Sequence, residues 1–269
     1  GRFVRRAIFD TDLFTLAAGN GAHAVRGARV VEVAPESRGC SVVIAGCDGG
    51  CNSVRAKIVV DATGRSSWLS RRLGAVRTAH DRLIAIAASF VTSDSVLPNE
   101  RLLVEAIKCG WAYCAPLGDR TVICFLTDFD LIGPHVKRDL ATIFRTRLSD
   151  VRHIDLGLLE LPIRAASVMP AGTSWLDKSC GDAWLAIGDA AFAGDPLCGG
   201  GIATSIQDAN WLAECLLEDS SIGPALQKHI DRYRISQRTE FLRDLRYYYG
   251  SESRWPTEPF WKRRRFTGP

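Results

Sequence analysis

Residues Gly188 to Ala209 read GDAAFAGDPLCGGGIATSIQDA, and this stretch indicates the fold more directly than any other part of the chain. It follows the short apolar run AWLAI, which predicts a β-strand that ends at Ile187. It leads into a pattern typical of an amphipathic helix. Three consecutive glycines cost backbone entropy, so we expect a neighbouring group or a ligand to approach the backbone closely there.

The residue types in this turn predict a ligand site. Gly188 permits a tight exit from the strand, and Asp189 projects from the strand's carboxyl end, where ligands of open α/β sheets gather. Asp195 and Pro196 predict a second bend, because proline fixes φ. The three glycines then offer bare N–H groups at a helix N-terminus, which suits an anion or a carbonyl oxygen. FAD has both the hydroxyls and the partly negative edge that such a turn would bind; a glycine-rich connection without a ligand is the alternative.

Composition argues against several classes of protein. The chain has 269 residues and a net charge of +4, which is too weakly basic to predict a nucleic-acid binder. The longest apolar run, LIAIAASFV from Leu83, is too short to span a bilayer, and the initial GRFVRR predicts no signal peptide. Nine cysteines, an odd number, predict a reduced cytoplasmic protein. Cys47 and Cys51 enclose Asp-Gly-Gly, which predicts a hairpin turn rather than a metal site.

The chain divides into three predicted parts. Residues 1–74 hold a helix, three β-rich segments and a short helix, and residues 181–269 return to strand and helix. Residues 75–180 hold four closely spaced strand candidates, a helix and a further strand, and such spacing favours antiparallel pairing. The predicted fold class is therefore α/β, with an inserted antiparallel β-sheet as the substrate layer and with C-terminal helices.

Three helices have predicted apolar faces. In the first helix, the shared face comprises Leu13, Leu16 and Ala17. In the helix from His135, the inward residues are Leu140, Ile143, Phe144 and Leu148. In the helix after the glycine turn, one face comprises Ile202, Ile206, Ala209, Ala213 and Leu216.

Three motifs resemble the flavoprotein monooxygenase superfamily. GDAAFAGDPLCGGGI is similar to its GD motif, in which the aspartate binds the ribityl hydroxyls of FAD and the following helix start faces the flavin ring. VVDATGRSSWLSRRLGA, from Val59, resembles the strand and turn that pass the ADP half of FAD. RAIFDTDLF, with Arg6 and Asp10, resembles its entry helix. The resemblance implies a glutathione-reductase-like FAD-binding layer.

Within that superfamily the chain most resembles the tryptophan-halogenase-like branch. GWAYCAPLGDRTVICFLTD resembles its central strand pair. RWPTEPFWKRRRF resembles the C-terminal motif of non-halogenating members, which include monooxygenases that mature protein-derived quinone cofactors. The halogenases carry WxWxIP where this chain has WAYCAP, from Trp111, and a glutamate where this chain has Cys198. These departures argue against halogenation.

The superfamily begins with a βαβ unit that carries GxGxxG, and these 269 residues hold no such motif after a strand. GNGAHA at Gly19 has a similar shape, but it ends a predicted helix, which indicates a helix C-cap. We therefore expect the FAD-binding layer to be incomplete at the N-terminus, through truncation, a gene fragment or an internal start. Alone, the chain is expected to bind FAD weakly or not at all.

The resemblance implies an FAD-dependent monooxygenase that hydroxylates a small aromatic or peptidyl tryptophan- or tyrosine-like substrate through a C4a-hydroperoxyflavin, with NAD(P)H or a flavin reductase as electron source. Two alternatives remain: an FAD-dependent reductase or desaturase of a lipid or isoprenoid, and an inactive fragment or binding scaffold. The residues expected to bind the cofactor are Arg6, Thr63, Gly64, Gly188, Asp189, Asp195, Pro196, Gly199, Gly200, Gly201 and Ile202. The residues expected to contact the substrate are Trp111 and Tyr113. No catalytic residue is assigned.

Three further groups have simpler interpretations. Glu105 and Lys108 are interpreted as a solvated strand edge rather than an acid–base pair. The five histidines show no metal-ligand spacing. The basic run Lys262–Arg265 is interpreted as a solvated terminus that packs Phe260 and Trp261 against the body of the protein.

Overall fold

A computed structural model describes residues 4–47, 49–91, 101–132, 140–155, 157–218 and 221–265. Its helices are α1 (Arg6–Gly19), α2 (Trp68–Arg72), α3 (Phe129–Ile132), α4 (Leu140–Arg147), α5 (Gly157–Glu160), α6 (Gly201–Glu218), α7 (Pro224–Ser251) and α8 (Pro259–Arg265). Its strands are β1 (Arg29–Glu36), β2 (Gly39–Ala45), β3 (Cys51–Ala56), β4 (Val59–Asp61), β5 (Arg77–Ala79), β6 (Leu83–Val91), β7 (Leu103–Ile107), β8 (Gly110–Pro116), β9 (Arg120–Asp128), β10 (Ile163–Pro170), β11 (Ser174–Leu176), β12 (Cys180–Gly181), β13 (Trp184–Ala186) and β14 (Phe192–Ala193).

A parallel strand pair forms the α/β layer. β4 and β13 pair in parallel, with Val60 opposite Leu185, and β12 adds an antiparallel hairpin strand to give the order β12-β13-β4. Ligands of such sheets gather at the carboxyl ends of the parallel strands. The turns after Asp61 and Ala186 therefore emerge at the same edge, which brings two predicted ligand motifs together.

The third predicted β-rich segment is two strands rather than one. β3 pairs with β2 in the antiparallel sheet β1-β2-β3, whereas β4 leaves that sheet to pair with β13. The predicted hairpin turn at Cys47 and Cys51 is confirmed, because it joins β2 to β3 with Gly49 at φ +79. Both cysteines are free and exposed.

The antiparallel middle layer is confirmed. It is a five-stranded sheet of order β10-β6-β9-β8-β7, in which every pairing is antiparallel. Successive residues of a strand point to opposite faces, so the sheet has two apolar sides. One side packs on Phe144 of α4 and on Leu148, directly after that helix, as predicted. The other packs on α7 and α8 through Leu245, Tyr249 and Phe260. The division into domains at residues 74 and 180 stays a prediction.

Two helices carry apolar side chains in contact with solvent. α1 contains no buried residue, and Leu16 is 62% exposed. The face predicted for α6 is not the buried one, since Ile206, Ala209 and Ala213 are exposed. The described helix instead buries Asp208 and Leu212. Among the described residues, no helix is long and apolar enough to cross a membrane.

Candidate functional site

The glycine turn begins at Gly188, directly after β13. Gly188 has φ +53, and a Cβ there would lie 2.7 Å from Ser205 Oγ of α6. Glycine is therefore required twice, for the left-handed backbone and for the close approach of the helix. The Gly188 N–H donates to Asp208 Oδ2 at 2.8 Å, so this donor holds the turn rather than facing a ligand.

A buried ion pair between α6 and α7 anchors the glycine turn. Asp208 Oδ2 also accepts from Arg234 Nη1 at 2.7 Å, and its Oδ1 accepts from Tyr233 OH at 2.8 Å. Arg234 Nη2 donates to the carbonyl of Ala186, the last residue of β13. The pair therefore fixes α6 and α7 to the end of the strand. The role of Asp208 could not be predicted from the sequence, because a polar residue amid an apolar helix face carries no signal of its distant partners.

Asp189 lies at the mouth of the turn. Its side chain is 42% exposed, and its Oδ2 lies 3.7 Å from Arg65 Nε. Arg65 is itself held by the carbonyls of Gly172 and Gly194. An accessible carboxylate beside a fixed guanidinium has free lone pairs with which to accept hydroxyl groups. This placement fits the role predicted for Asp189, which stays a prediction.

The three glycines leave the start of α6 uncovered. Gly199 has φ +61, and a Cβ on Gly199 or Gly201 would meet no atom within 4 Å. The first bond of the helix runs from Thr204 N to Gly200 O, so the amides of residues 201 to 203 precede any intrahelical partner. The positive end of an 18-residue helix therefore faces open space. Ile202 is half-buried beside it.

Asp195 is turned into the protein rather than toward this space. It is 3% exposed, its Oδ1 accepts from Leu197 N at 2.9 Å, and Pro196 begins a short 3-10 helix after it. Its Oδ2 accepts from Tyr249 OH at 2.7 Å. Burial raises the pKa of Asp195 to about 6, against the lowering effect of these two hydrogen bonds. The carboxylate predicted to bind the cofactor thus acts in this structure as an internal anchor.

Trp111 is the far end of the same chain of hydrogen bonds. Its Nε1 donates to Tyr249 OH at 2.9 Å, and its side chain lies in the core. Tyr113 is half-buried, with its ring centroid 6.2 Å from that of Trp111. Of the two residues expected to contact the substrate, Trp111 therefore lies inside the protein, because its indole N–H donates to a partner on α7. The substrate contacts stay predictions.

The second turn, after β4, is organised by Asp61. This buried carboxylate accepts from the N–H and hydroxyl of Thr63, at 3.0 and 2.6 Å, and from the N–H and hydroxyl of Ser70, at 2.7 and 2.6 Å. Burial would raise the pKa of Asp61, but these hydrogen bonds outweigh it and hold the pKa below its usual value. Gly64 has φ +65 and open space around it. The Thr63 side chain is thus occupied within the turn.

Arg6 lies apart from both turns on exposed helix α1, where it pairs with Asp10 at 3.0 Å. The helix ends at Gly19 with Asn20 as its C-cap, which confirms the interpretation of GNGAHA. Nothing in the described chain tests the expected contact of Arg6 with FAD.

Two other interpretations are wrong in part. Lys108 is exposed, as a solvated strand edge predicts, but Glu105 is not. Glu105 is buried, and its carboxylate accepts the backbone N–H groups of residues 152 to 154 at 2.6, 2.9 and 3.2 Å. The terminal basic run is only partly solvated, because Arg264 is buried and pairs with Asp128 at 2.7 Å. The packing of Phe260 and Trp261 in the core is confirmed. The described residues contain no cluster of His, Cys, Asp or Glu that could hold a metal ion.

The two turns fit FAD. The fit rests on an accessible carboxylate at Asp189, a glycine-lined helix start with open space and with N–H groups that precede the first intrahelical bond, and an open Gly64 at the same sheet edge. Hydroxyl groups need such an acceptor, and a partly negative ring edge needs such donors. A side chain at Gly199 or Gly201 would fill the space that these donors face.

Two curated proteins resemble the chain over most of its length. LodB of Marinomonas mediterranea, provisionally named an FAD-dependent oxidoreductase, is 27% identical over 96% of this chain and 70% of its own length. A digeranylgeranylglycerophospholipid reductase of Methanococcoides burtonii is 23% identical over 91% of this chain and 60% of its own length.

Solved structures share the fold. CmlS, a flavin-dependent halogenase, matches 99% of this chain with a TM-score of 0.88 at 19% identity. QhpG, a peptidyl tryptophan dihydroxylase essential for tryptophylquinone cofactor biogenesis, matches 97% with a TM-score of 0.75 at 24% identity. The chain spans 50% of the CmlS chain and 59% of the QhpG chain.

The family model described as FAD binding domain matches residues 7–245. This match includes the turn organised by Asp61 and the glycine turn with Asp189, the two features that fit the cofactor. The chain therefore belongs to the FAD binding domain family.

Proposed function

We propose that this chain forms the flavin-contacting part of an FAD-dependent monooxygenase that hydroxylates an aromatic substrate, with a peptidyl tryptophan or tyrosine as the substrate class. One observation carries the cofactor assignment: the half-exposed Asp189 and the uncovered start of α6 lie on one turn, at the carboxyl edge of the parallel strands. FAD, once bound and reduced, supplies the activation of O2 that no side chain here can perform.

The protein's own groups bind and position. Asp189 would accept the ribityl hydroxyls, and the N–H groups of Gly201 and Ile202 would face the negative edge of the reduced ring. The buried pair of Asp208 and Arg234 keeps this turn rigid without touching the ligand. Electrons would come from NAD(P)H or from a flavin reductase.

Hydrogen bonds link the glycine turn to the middle sheet, and this link supports a substrate that binds against the sheet. The hydrogen bonds from Trp111 to Tyr249 and from Tyr249 to Asp195 join β8, α7 and the glycine turn. A substrate bound against β8 would thus be held in a fixed position relative to the glycine turn. The shared fold with QhpG supports the peptidyl class, and Tyr113 is the half-buried aromatic residue on that strand.

The reaction can be tested with isotopically heavy O2. The chain, and any longer natural form of it, is loaded with FAD and supplied with NAD(P)H, a flavin reductase and a peptide that contains tryptophan or tyrosine. We expect the peptide to gain heavy oxygen from O2, as read by mass spectrometry. Product without heavy oxygen, or no product from a fully flavin-loaded protein, would contradict the proposal.

The cofactor site has its own test. Asp189→Ala should weaken FAD retention by about 1.5–3 kcal/mol, the range for a hydrogen bond to a charged group. Asp231→Ala, on the exposed side of α7, is the matched control and should retain FAD like the parent. Equal flavin content in both variants after extensive dialysis would show that Asp189 is not a ligand.

A second candidate is an FAD-dependent reductase of an isoprenoid lipid, and the similarity to the digeranylgeranylglycerophospholipid reductase favours it. The same assay, with a polyprenyl lipid in place of the peptide, separates the two functions. A reductase would add hydrogen to a polyprenyl double bond without O2, whereas a monooxygenase would require O2.

A further inference from the structure

A cavity lies between α7, α8 and the turn that leads into β6, and we call it the α7–α8 cavity. Its volume is about 490 Å³. Small-molecule sites have volumes of roughly 300–1,000 Å³, so this space suits a small organic ligand. Its apolar wall comes from α7 and comprises Leu242, Leu245 and Tyr249, and its charged lining residues are four arginines and two aspartates.

The α7–α8 cavity adjoins the glycine turn. Tyr249, which lines the cavity, donates its hydroxyl to Asp195 Oδ2 at 2.7 Å. Leu197, two residues later in the turn, packs against the same apolar cluster as Leu242 and Leu245. A ligand in this cavity would therefore lie beside the turn to which we assign the flavin.

Two of the four arginines have carboxylate partners within the protein. Asp128 Oδ1 accepts from Arg264 Nη2 at 2.7 Å, and Asp128 Oδ2 accepts from Arg263 Nη1 at 2.9 Å. Arg263 Nη2 also donates to Asp130 Oδ2 at 2.7 Å. This hydrogen bond is the main cause that lowers the pKa of Asp130, and the charge of Arg82 also lowers it. Arg263 and Arg264 are thus balanced without a ligand.

The other two arginines, Arg82 and Arg246, lack such partners. Both are exposed, and among the described residues their guanidinium groups form no hydrogen bond or ion pair. Asp81, the second acidic residue of the lining, is engaged by the backbone, since its two oxygens accept the N–H groups of Leu83 and Thr173 at 2.9 and 3.0 Å. Guanidinium groups bind carboxylates through paired N–H groups, so an anionic group of a ligand suits these two arginines.

We propose that the α7–α8 cavity binds the substrate, and that Arg82 and Arg246 select a substrate with a carboxylate close to its aromatic ring. The carboxylate would bind the two guanidinium groups, and the ring would lie against Leu242 and Leu245, where its burial is favourable. Two sources supply this chemistry: a free aromatic acid, and an acidic residue next to a peptidyl tryptophan or tyrosine. The inference rests on the proposed function, because only the proposed reaction makes this ligand a substrate.

Calorimetric titration of the 269-residue chain without flavin tests the selection with two pairs of probes. The first pair is N-acetyl-tryptophan and its neutral amide, and the second is acetyl-Glu-Trp-amide and the neutral acetyl-Gln-Trp-amide. In at least one pair, we expect the acid to bind about tenfold more tightly than its neutral partner. Preference in the first pair alone identifies a free acid as the source, and preference in the second alone identifies an acidic peptide. Equal affinities within both pairs, or no binding of any probe, would overturn the proposal.

Variants assign the preference to the two arginines. Arg82→Gln and Arg246→Gln should each reduce the preference for the acid about threefold, and the double variant should abolish it. Arg246→Lys should retain part of the preference, because it keeps the charge but loses the paired N–H groups. Arg232→Gln, at an exposed position on α7 outside the cavity, is the matched control and should keep the full preference. An equal reduction in Arg232→Gln and in the cavity variants would overturn the proposal.

Failure of this inference can be distinguished from failure of the proposed function. Preference for the acid without any transfer of heavy oxygen from O2 would support the binding site and contradict the proposed function. Transfer of heavy oxygen to the acidic and neutral peptides with equal kcat/KM would support the proposed function and overturn this inference. Loss of FAD binding in the arginine variants with the preference unchanged would also overturn it, since the arginines would then serve the flavin.

Discussion

Removal of one hydroxyl should test the hydrogen-bond chain that joins the middle sheet to the glycine turn. Tyr249→Phe keeps the buried ring but removes the oxygen that accepts from Trp111 Nε1 at 2.9 Å and donates to Asp195 Oδ2 at 2.7 Å. Trp111, Tyr249 and Asp195 are all buried, at 3%, 2% and 3% exposure, so water cannot replace either bond.

The expected cost follows from the two bonds. Loss of a hydrogen bond to an ionised carboxylate costs about 1.5–3 kcal/mol, and an indole N–H left without a partner costs about 1–3 kcal/mol. At pH 8, above the pKa of about 6 of Asp195 in the folded protein, we expect the free energy of unfolding to fall by about 3–5 kcal/mol.

The cost should depend on pH. At pH 5 the Asp195 carboxyl is mostly protonated in the folded protein, so its bond from Tyr249 becomes a neutral one, worth about 1 kcal/mol. Proton linkage predicts the same direction. The bond from Tyr249 lowers the pKa of Asp195, so its removal raises the pKa in the folded protein further, and more stability is then lost in total as pH rises through that pKa. The loss at pH 5 should be smaller by about 1–2 kcal/mol.

Urea unfolding at both pH values measures the effect. Tyr248→Phe is the matched control, because its neighbouring side chain is 55% exposed, and the substitution should change stability by less than about 0.5 kcal/mol. A loss below about 1 kcal/mol at pH 8, or the same loss at both pH values, would refute the reasoning.

Three further outcomes are expected. Asp208→Ala should lower the free energy of unfolding, measured in urea, by about 3–5 kcal/mol, since it leaves a buried guanidinium without its carboxylate partner. Asp231→Ala, at an exposed position, is the control and should be neutral. Equal effects of the two substitutions would contradict the anchor role of Asp208. Glu105→Gln should cost about 1–3 kcal/mol, because one accepting oxygen becomes an NH2 donor that faces one or two of the three backbone N–H donors; an unchanged Tm would contradict this. With chloride or bromide and a complete flavin system, no halogenated product should form, since Cys198 stands where the resembling halogenases carry a carboxylate. An enzyme-dependent chlorine or bromine isotope pattern in the mass spectrum of the products would overturn this expectation.

The sequence predicted the local structural elements because residues close together in the chain determine them. The strand, glycine turn and helix after Trp184, the hairpin at Cys47 and the C-cap at Asn20 depend on residues within a few positions of one another. The antiparallel pairing of the middle layer followed from short spacings between strand candidates. Resemblance in the GD motif and in the segment VVDATGRSSWLSRRLGA, from Val59, then sufficed to indicate the family.

The tertiary structure alone decided which polar residues are buried. Asp208 lies among apolar helix residues, and only the approach of α7, 26 positions later at Arg234, explains why its face packs inward. Trp111 and Tyr249 are 138 positions apart, and Glu105 meets its donors 47 to 49 positions away. Hydrophobic periodicity reports which face is apolar, whereas a buried carboxylate is stable only where folding supplies its donors. The sequence by itself therefore determined the turns and the family, and the packing of distant segments determined which side chains are buried as anchors of the glycine turn.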